Sequence, residues 1–287
     1  MCDFFAQLFM AHCSRISIVT ACFNSSATLR TMLESIRAQA QEKVFPKNDI
    51  ECIVIDGGST DGTQDILREF EDVITFWSSE PDKGIADAFS KGVARATGEW
   101  IAVLGTDDAY LPQAFRYVRE YAERFPGTDI LYGEAILEQV GNTAVVQRAL
   151  PLEELSLYHS FICHQAVFAR KSVFDRIGGF HEQWRFAMDY DWLLRAHNAG
   201  CIFQPMPHTQ VVRYSLAGAS GQYRVKALRE MRDIAIKHGL NKHECYRQYR
   251  IAVFKSTIES LMQKAGLQPV IHLYRTRIKK RYATMDE

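Results

Sequence analysis

The sequence lacks the features that mark three classes of protein. No apolar run reaches the roughly 18 residues that cross a bilayer, and the seven cysteines include no Cys-x-x-Cys pair. Lys plus Arg and Asp plus Glu both number 34, so the overall charge says nothing about a polyanionic partner. The first two absences argue against a membrane-spanning protein, a zinc protein and a disulfide scaffold, and we expect no nucleic acid among the partners. We expect a soluble, cytoplasmic protein whose cysteines are reduced and mostly buried.

The first residues do not match a secretion signal. Residues 4–10 form a short apolar stretch, but Asp3 precedes it where a signal peptide carries positive charge. We expect residues 1–14 to be an N-terminal extension, either leading into the domain or forming a surface-seeking helix.

The first half of the chain alternates between strand and helix patterns. Strand patterns rich in β-branched and apolar residues occupy residues 16–20, 51–55, 73–77 and 100–104. Amphipathic helix patterns follow the first three of them, around Leu29, Ile66 and Ile85. This alternation predicts an α/β fold with a mainly parallel, Rossmann-like central sheet flanked by helices. Ligands of such sheets bind beyond the carboxyl ends of the strands.

The rest of the chain follows a different pattern. From about residue 151 the alternation loosens, and from 223 onwards helical spacing dominates, interrupted by Gly239 and by residues 266–269. We therefore divide the chain into a first half over residues 15–150, a second half over 151–222 and a C-terminal helical extension over 223–287.

Two adjacent carboxylates, Asp107 and Asp108, follow the apolar strand pattern that ends at Leu104. Such carboxylates repel each other at the mouth of a buried strand, and a hard divalent cation such as Mg²⁺ or Mn²⁺ would relieve that cost. The alternative is a solvated turn in which an aspartate begins a helix. These residues alone leave both interpretations open.

Another carboxylate, Asp56, ends the second strand pattern and precedes a turn that contains Gly57, Gly58 and Gly62. A carboxylate in this position can accept hydrogen bonds from a base or a ribose. The alternative is a tight connection between a strand and a helix. The turn is neither a P-loop nor a dinucleotide fingerprint, because GK[ST] and the GxGxxG spacing are missing.

Asp82 and Lys83 lie just before the third helix pattern. A lysine in this position can neutralise the charge of a phosphate, and Asp82 either contacts the ligand or caps the helix.

Asp189 and Asp191 begin a helix pattern in the second half and point to nearly opposite sides of it. Asp191 stands four residues before Arg195, which predicts an exposed ion pair. Asp189 is then the better candidate for a general base facing a cleft, with a helix cap as the alternative. His164 and His208 are candidates for contact with an acceptor or a metal, although a lone histidine is more often structural.

The end of the chain is rich in cations. Between Tyr274 and Tyr282 the sequence carries Arg275, Arg277, Lys279, Lys280 and Arg281. This run is either a solvated helix end or a segment that binds an anionic membrane surface. The sequence alone leaves both interpretations open.

Taken in order, these motifs resemble the family 2 glycosyltransferases of the GT-A fold, especially bacterial members that build surface polysaccharides. The resemblance rests on an ordered set of segments that spans roughly residues 15–222. The segments are IVTACFN at 18–24, IDGGSTDGT at 55–63, SEPDKGIADAFSKG at 79–92, ATGE at 96–99, LGTDD at 104–108, CHQ at 163–165, IGGF at 177–180, and residues 189–195 and 212–220.

The resemblance implies a single inverting transfer of a sugar from a nucleotide-diphosphate sugar to a hydroxyl of a glycan or lipid-linked acceptor in polysaccharide biosynthesis. It makes residues 15–150 the donor-binding half and 151–222 the acceptor-binding half. It assigns the catalytic base to Asp189, and it assigns a metal, Mn²⁺ or Mg²⁺, to Asp108 and Asp107. The donor-binding residues are then Thr20, Ala21, Asn24, Asp56, Asp82, Lys83, Asp107 and Arg213. We add His164 and Gln165 as acceptor-binding residues and His208 as a further metal ligand.

The chain departs from the usual pattern of this subgroup at a few positions. Gly105 and Thr106 precede the aspartate pair in place of Asn and Ser or Ala, which leaves the carboxylates intact. Because Thr106 supplies no carboxylate, we expect Asp108 to be the principal metal ligand. Ala86 stands where Tyr is common and Ser90 where Asn is common, and these changes bear on donor choice or acceptor fit.

Two rival functions remain. One is a non-catalytic module that binds a nucleotide sugar or a glycan. The other is a nucleotidyltransferase, which requires a basic, glycine-rich phosphate loop. Residues 20–26 contain no basic residue, which argues against this function. Under the main hypothesis the partners are the donor and the acceptor, and the basic tail would add a peripheral contact at the inner face of a membrane.

Overall fold

A computed structural model describes residues 15–41, 49–138, 144–158, 162–215, 223–265 and 282–283 of the chain. The predicted extension over residues 1–14 and the cationic run at 275–281 lie outside these ranges. The strands within them are β1 (Ile16–Cys22), β2 (Ile50–Asp56), β3 (Phe76–Ser79), β4 (Trp100–Leu104), β5 (Ala109–Tyr110), β6 (Ile130–Glu138), β7 (Ala144–Gln147), β8 (Val167–Arg170), β9 (Phe203–Ser215) and β10 (Tyr282–Ala283). The helices are α1 (Leu29–Gln41), α2 (Thr63–Glu69), α3 (Ile85–Arg95), α4 (Ala114–Arg124), α5 (Lys171–Ile177), α6 (Met188–Asn198), α7 (Arg224–Lys237) and α8 (Lys242–Lys264).

The strands form one mixed sheet in the order β10-β7-β6-β8-β4-β1-β2-β3, with β9 beside β6 and β5 beside β9. The neighbours β3, β2, β1 and β4 are parallel, as the alternation of strands and helices predicts. Beyond β4 the sheet becomes mixed, because β8 runs antiparallel to both β4 and β6. The predicted α/β class is confirmed, and the parallel order holds for the first four strands, β1 to β4.

The third strand begins later than the sequence pattern predicts. Val73 and Ile74 donate their backbone N–H groups to the carbonyl of Phe70, each at 2.9 Å, and so belong to the turn that closes α2. The strand therefore occupies Phe76–Ser79 rather than residues 73–77.

Two layers of apolar side chains cover the parallel strands. On one face α1 buries Leu29, Met32 and Leu33 against β1 and β2. On the other face α3 approaches β1 so closely that a Cβ on Gly92 would lie 2.3 Å from Val19. Helix α3 can pack at this distance because position 92 lacks a side chain. Strand β4, which is covered on both faces, is a continuous apolar run for this reason.

The C-terminal helices pack into the same core as the second half. Ile234 and Ala235 of α7 and Cys245 of α8 are buried among residues of α6. Gly239, with a φ of 84°, ends the first of these helices at the interruption that the sequence predicts. Across the described residues, none of the helices combines the length and the apolarity that crossing a bilayer requires. The described cysteines are free thiols and mostly buried, as predicted.

Candidate active site

The carboxyl ends of β1, β2 and β4 meet at one edge of the sheet. Cys22 pairs with Asp56 and Thr20 pairs with Leu104, so the loops after these strands begin side by side. This register brings the IDGGSTDGT turn and the LGTDD segment to the same edge. These motifs therefore meet beyond the carboxyl ends of the parallel strands, where the sequence predicts the site.

Hydrogen bonds join the three loops to one another. Asn24 donates its backbone N–H to Ser59 Oγ at 2.7 Å, and its Oδ1 accepts the N–H of Thr60 at 3.0 Å. Thr106 Oγ1 donates to Ser25 Oγ at 3.2 Å, which ties the loop after β4 to the loop after β1. Asn24 has a φ of 48°, a conformation that asparagine tolerates better than most residues. The predicted donor residue Asn24 thus also holds the loops in place.

Asp56 is more enclosed than the sequence suggests. The residue is 0% exposed, and its carboxylate accepts hydrogen bonds from the Ser59 N–H at 2.9 Å, from Ser79 Oγ at 2.6 Å and from Cys22 Sγ at 3.4 Å. A further bond comes from Ser59 Oγ. Burial alone would raise the pKa of Asp56, but these donors outweigh it and the pKa is lowered. The contact with a base that the resemblance implies is not available in this conformation, since the carboxylate is used by its own turn.

The prediction that Thr20 lines the donor pocket is wrong for its side chain. Thr20 is 0% exposed, and its Oγ1 lies 4.0 Å from the sulfur of Met32 on α1. Side chains alternate between the two faces of a strand, so Ala21 faces the other way and is half-buried against the second core. Of the two, Ala21 stays a candidate for contact with the donor.

The exposed side of the loops after β1 and β2 is bordered by Phe23, Gly57 and Asp82. Phe23 is 63% exposed although it follows a buried strand directly. A Cβ on Gly57 would lie 2.8 Å from Asp82 Oδ2 and 3.4 Å from the ring of Phe23, so both side chains border the same glycine. The other oxygen of Asp82 accepts the Gly84 N–H at 2.7 Å, which adds the capping role. Lys83 is 75% exposed and forms an ion pair with Glu182 at 3.5 Å.

The paired carboxylates converge over Gly105. A Cβ at this position would lie 2.7 Å from Asp108 Oδ2 and 3.0 Å from Asp107 Oδ1, so one oxygen of each carboxylate faces the same small space. Asp108 is only 3% exposed, and burial raises the pKa of Asp107 above its usual range. Two desolvated carboxylate oxygens that meet over a glycine are a donor set that suits Mg²⁺ or Mn²⁺. The residues therefore fit a divalent cation, with a diphosphate and water able to complete its coordination.

Asp189 at the start of α6 is paired with His164. The distance from His164 Nδ1 to Asp189 Oδ2 is 3.0 Å, and their side chains are 24% and 13% exposed. Burial lowers the pKa of His164, but the charges of Asp189, Asp108 and Asp107 outweigh it and raise the pKa overall. Burial raises the pKa of Asp189, but the charge and hydrogen bond of His164 outweigh it and lower the pKa. The predicted base and the predicted metal carboxylates are thus electrostatic neighbours through one histidine.

Tyr214, rather than Arg213, faces the carboxylates. Arg213 lies opposite Ala109 on β5, but its side chain is 53% exposed and its Nε contacts Glu138 at 3.0 Å. Burial raises the pKa of Tyr214, and so do the neighbouring charges of Asp108 and Asp189. Because successive residues of a strand point to opposite faces, only one of the two can face this cluster. The phosphate contact predicted for Arg213 stays a prediction, and in this structure the side chain contacts Glu138 instead.

Gln165 and His208 are not placed as predicted. Gln165 is 5% exposed, and its Oε1 accepts the thiol of Cys163 at 3.1 Å, so little of its side chain is open to an acceptor. His208 lies at a bulge of β9, where its N–H donates to Glu134 Oε1 at 3.1 Å. Over the ranges that the structure describes, no three His, Cys, Asp or Glu side chains are grouped as metal ligands. The structure therefore does not bring His208 together with Asp107 and Asp108.

Asp191 pairs with Arg195 as predicted, Oδ2 to Nε at 2.9 Å, but the aspartate is not exposed. It is fully buried and also contacts His181 Nδ1 at 2.8 Å and His238 Nε2 at 3.1 Å. These partners come from a loop and from the residue directly after α7, so spacing within α6 could not reveal them.

A small cavity lies behind the base and does not accommodate a sugar. Its lining is apolar apart from His164 and Asp189, and its volume is about 20 Å³. Such a volume holds about one water molecule. This cavity is therefore not a substrate pocket.

The arrangement of the sheet is shared with solved glycosyltransferases. The mannosyltransferase PcManGT from Pyrobaculum calidifontis, in complex with GDP-Man and Mn²⁺, is similar with a TM-score of 0.63 and 17% identity over 91% of this chain and 78% of that one. S. aureus TarS 1–349 in complex with UDP-GlcNAc is similar with a TM-score of 0.60 and 15% identity over 80% of this chain and 69% of that one. The fold is that of the GT-A glycosyltransferases.

The sequence comparison then gives the family. The profile described as Glycosyl transferase family 2 matches residues 17–179, more than half of the 287 residues. A PGL/p-HBAD biosynthesis glycosyltransferase of Mycobacterium bovis is 31% identical over 206 residues, which cover 70% of this chain and 77% of that protein. An uncharacterized glycosyltransferase of Haemophilus influenzae is 26% identical over 63% of this chain and 61% of that protein. The chain belongs to glycosyl transferase family 2, and it is a glycosyltransferase.

Proposed function

We propose that this glycosyltransferase transfers a sugar, with inversion and with the help of Mn²⁺ or Mg²⁺, from a nucleotide-diphosphate sugar to a hydroxyl of a glycan or lipid-linked acceptor. The observation that carries the proposal is the convergence of Asp107 and Asp108 over Gly105, next to the pair of His164 and Asp189. One group suits a diphosphate with its cation, and the other suits the acceptor hydroxyl.

The loops after β1 and β2 would bind the nucleotide. Phe23 offers an exposed ring face on which a base can stack, and Asp82 borders the same glycine with a carboxylate oxygen. The structure of TarS contains UDP-GlcNAc and that of PcManGT contains GDP-Man. Both donor types are therefore reasonable probes for this chain.

Asp189 would act as the base. Its carboxylate would accept the proton of the acceptor hydroxyl while the acceptor oxygen attacks the anomeric carbon and the bond from that carbon to the diphosphate breaks. Asp107 and Asp108 would hold the divalent cation, whose chemistry is to neutralise the charge of the departing diphosphate. No covalent intermediate between sugar and enzyme is needed, because one displacement inverts the configuration.

Polysaccharide biosynthesis and a location at the inner face of a membrane complete the proposal. The resemblance to bacterial enzymes of surface polysaccharides supports the first. The cationic run at 275–281, outside the described residues, supports the second, because basic segments are attracted to anionic lipid surfaces.

The test is turnover of a panel of nucleotide sugars with Mn²⁺ or Mg²⁺. We expect the release of nucleoside diphosphate from at least one UDP-, GDP- or dTDP-sugar, and loss of this release when the metal is chelated. The rival, a non-catalytic binding module, predicts that the same sugars stabilise the fold against heat by mass action but are never consumed. Binding without turnover across the panel and a range of acceptors would favour the rival.

A further inference from the structure

The helix that carries Asp189 has no capping side chain at its N-cap position. Its N-cap residue is Ala187, which makes no side-chain capping hydrogen bond. Helices leave their first N–H groups without partners inside the helix, and a buried end needs other acceptors. The segment before α6 finds its acceptor elsewhere in the chain.

Glu230 of α7 supplies the hydrogen-bond acceptor for the segment before α6. Its carboxylate accepts three consecutive backbone N–H groups, those of Arg185 at 3.2 Å, Phe186 at 2.7 Å and Ala187 at 3.0 Å. Anionic groups are favoured at the N-terminal end of a helix, where the helix dipole is positive. One carboxylate of a later helix therefore fixes the backbone two residues before Asp189.

A second contact, from His238 directly after α7, reaches the same helix one turn further on. His238 lies 3.1 Å from Asp191, which is fully buried, and Asp191 in turn contacts Arg195 at 2.9 Å. Arg195 donates to the carbonyl oxygens of Ile177 and Gly179 at 2.5 and 2.6 Å, so α6 is also held against the loop after α5.

We propose that Glu230 is a positioning residue for the base Asp189, and that α7 is part of the catalytic apparatus rather than an appendage. The inference rests on the proposed function, in which Asp189 accepts a proton. Glu230 lies beyond residues 17–179, which the family profile covers. It fixes the direction of the first turn of α6, and with it the distance from Asp189 to an acceptor hydroxyl. Misplacing a reacting group by about 1 Å costs roughly 100-fold in rate.

The experiment compares Glu230→Gln with Asp233→Asn. Asp233 is the matched control, because it is a carboxylate on the same helix whose recorded partner is its neighbour Arg232 at 2.7 Å. Amide hydrogen exchange of Phe186 and Ala187 reports the contact itself. Release of nucleoside diphosphate from UDP-GlcNAc and GDP-mannose reports kcat and KM.

In Glu230→Gln we expect faster exchange at both amides, a kcat lower by roughly 10- to 100-fold and a donor KM within about twofold of the wild type. Glu230→Asp, which restores the charge, should recover part of the kcat. Asp233→Asn should change none of these quantities.

Unchanged exchange at both amides would overturn the inference, and so would faster exchange with unchanged kcat. A wild-type enzyme that consumes no nucleotide sugar would overturn the proposed function and the positioning role with it, while faster exchange in Glu230→Gln would still identify the contact. A fall in kcat together with loss of cooperative thermal unfolding would also count against positioning, because it would indicate a general structural role.

Discussion

His164 Nδ1 lies 3.0 Å from Asp189 Oδ2, and the two residues come from different elements, a short 3-10 turn at His164–Ala166 and the first turn of α6. The charges of Asp107 and Asp108 also raise the pKa of this histidine. The charge of one imidazole is thus coupled both to the carboxylate that would take a proton and to the carboxylates that would hold a metal. The stability and the chemistry of the site both depend on this pair.

Stability should depend on pH through this pair. The pKa of His164 lies above its usual 6.5, so its contribution is fully present below about pH 6.5 and is lost as the pH rises through the raised pKa. The pKa of Asp189 lies below its usual 3.8, so its contribution is present above about pH 3.8 and is lost as the pH falls through the lowered pKa. The pair therefore stabilises the fold most between about pH 4 and 6.5. Thermal unfolding of His164→Gln should lose the decline in stability that the wild type shows above this window.

His243→Gln is the control for that measurement, because His243 is exposed on α8. It should keep the pH dependence of the wild type. If His164→Gln kept it as well, the ion pair would make no contribution to stability.

Removal of the exposed ring of Phe23 should weaken nucleotide binding. Stacking of a base on an aromatic side chain contributes about 1–3 kcal/mol, so Phe23→Ala should raise the Kd for UDP or GDP by roughly 5- to 150-fold. Titration calorimetry measures the change. The matched control is Phe254→Ala, since Phe254 is 67% exposed on α8. Equal affinities for the two variants would show that Phe23 does not contact the base.

A methyl group at Gly105 should separate metal binding from folding. The Cβ of Gly105→Ala would crowd Asp108 Oδ2 at 2.7 Å and Asp107 Oδ1 at 3.0 Å, so the carboxylates must move apart. Both atoms are the ends of side chains, and we expect a thermal midpoint close to that of the wild type. Metal-dependent binding of UDP or GDP should be weaker in Gly105→Ala than in the wild type. It should also be weaker in Asp108→Asn, because that change removes the charge of one metal ligand. Unchanged metal dependence in both variants would contradict the metal assignment. The control is Asp65→Asn, because Asp65 is an exposed carboxylate of α2.

The position of β4 was predictable because a local pattern determines it. The apolar run 100–104 is β4 with the same bounds, and parallel neighbours must bring Asp56 and Asp107 to one edge. The direction of each side chain was harder to predict. A β-rich run permits either face, and only packing against Met32 of α1 shows that Thr20 points away from the pocket.

Contacts between distant parts of the chain account for the other differences. Ser79, which arrives on β3, helps to enclose Asp56, and Glu230 reaches the start of α6 from a later helix. Neither residue carries a local pattern that indicates its partner. Phe23 is different, because an aromatic residue directly after a buried strand is a signal that the sequence does contain.

The most direct test of the account is the rate of nucleoside diphosphate release by Asp189→Asn, measured together with its affinity for the donor. General base catalysis contributes about 10²- to 10⁴-fold, and Asn keeps the size of the side chain. We predict a loss of turnover of this size, with a donor Kd and metal dependence like those of the wild type. Release at the wild-type rate by a variant that binds the donor normally would show that Asp189 is not the base.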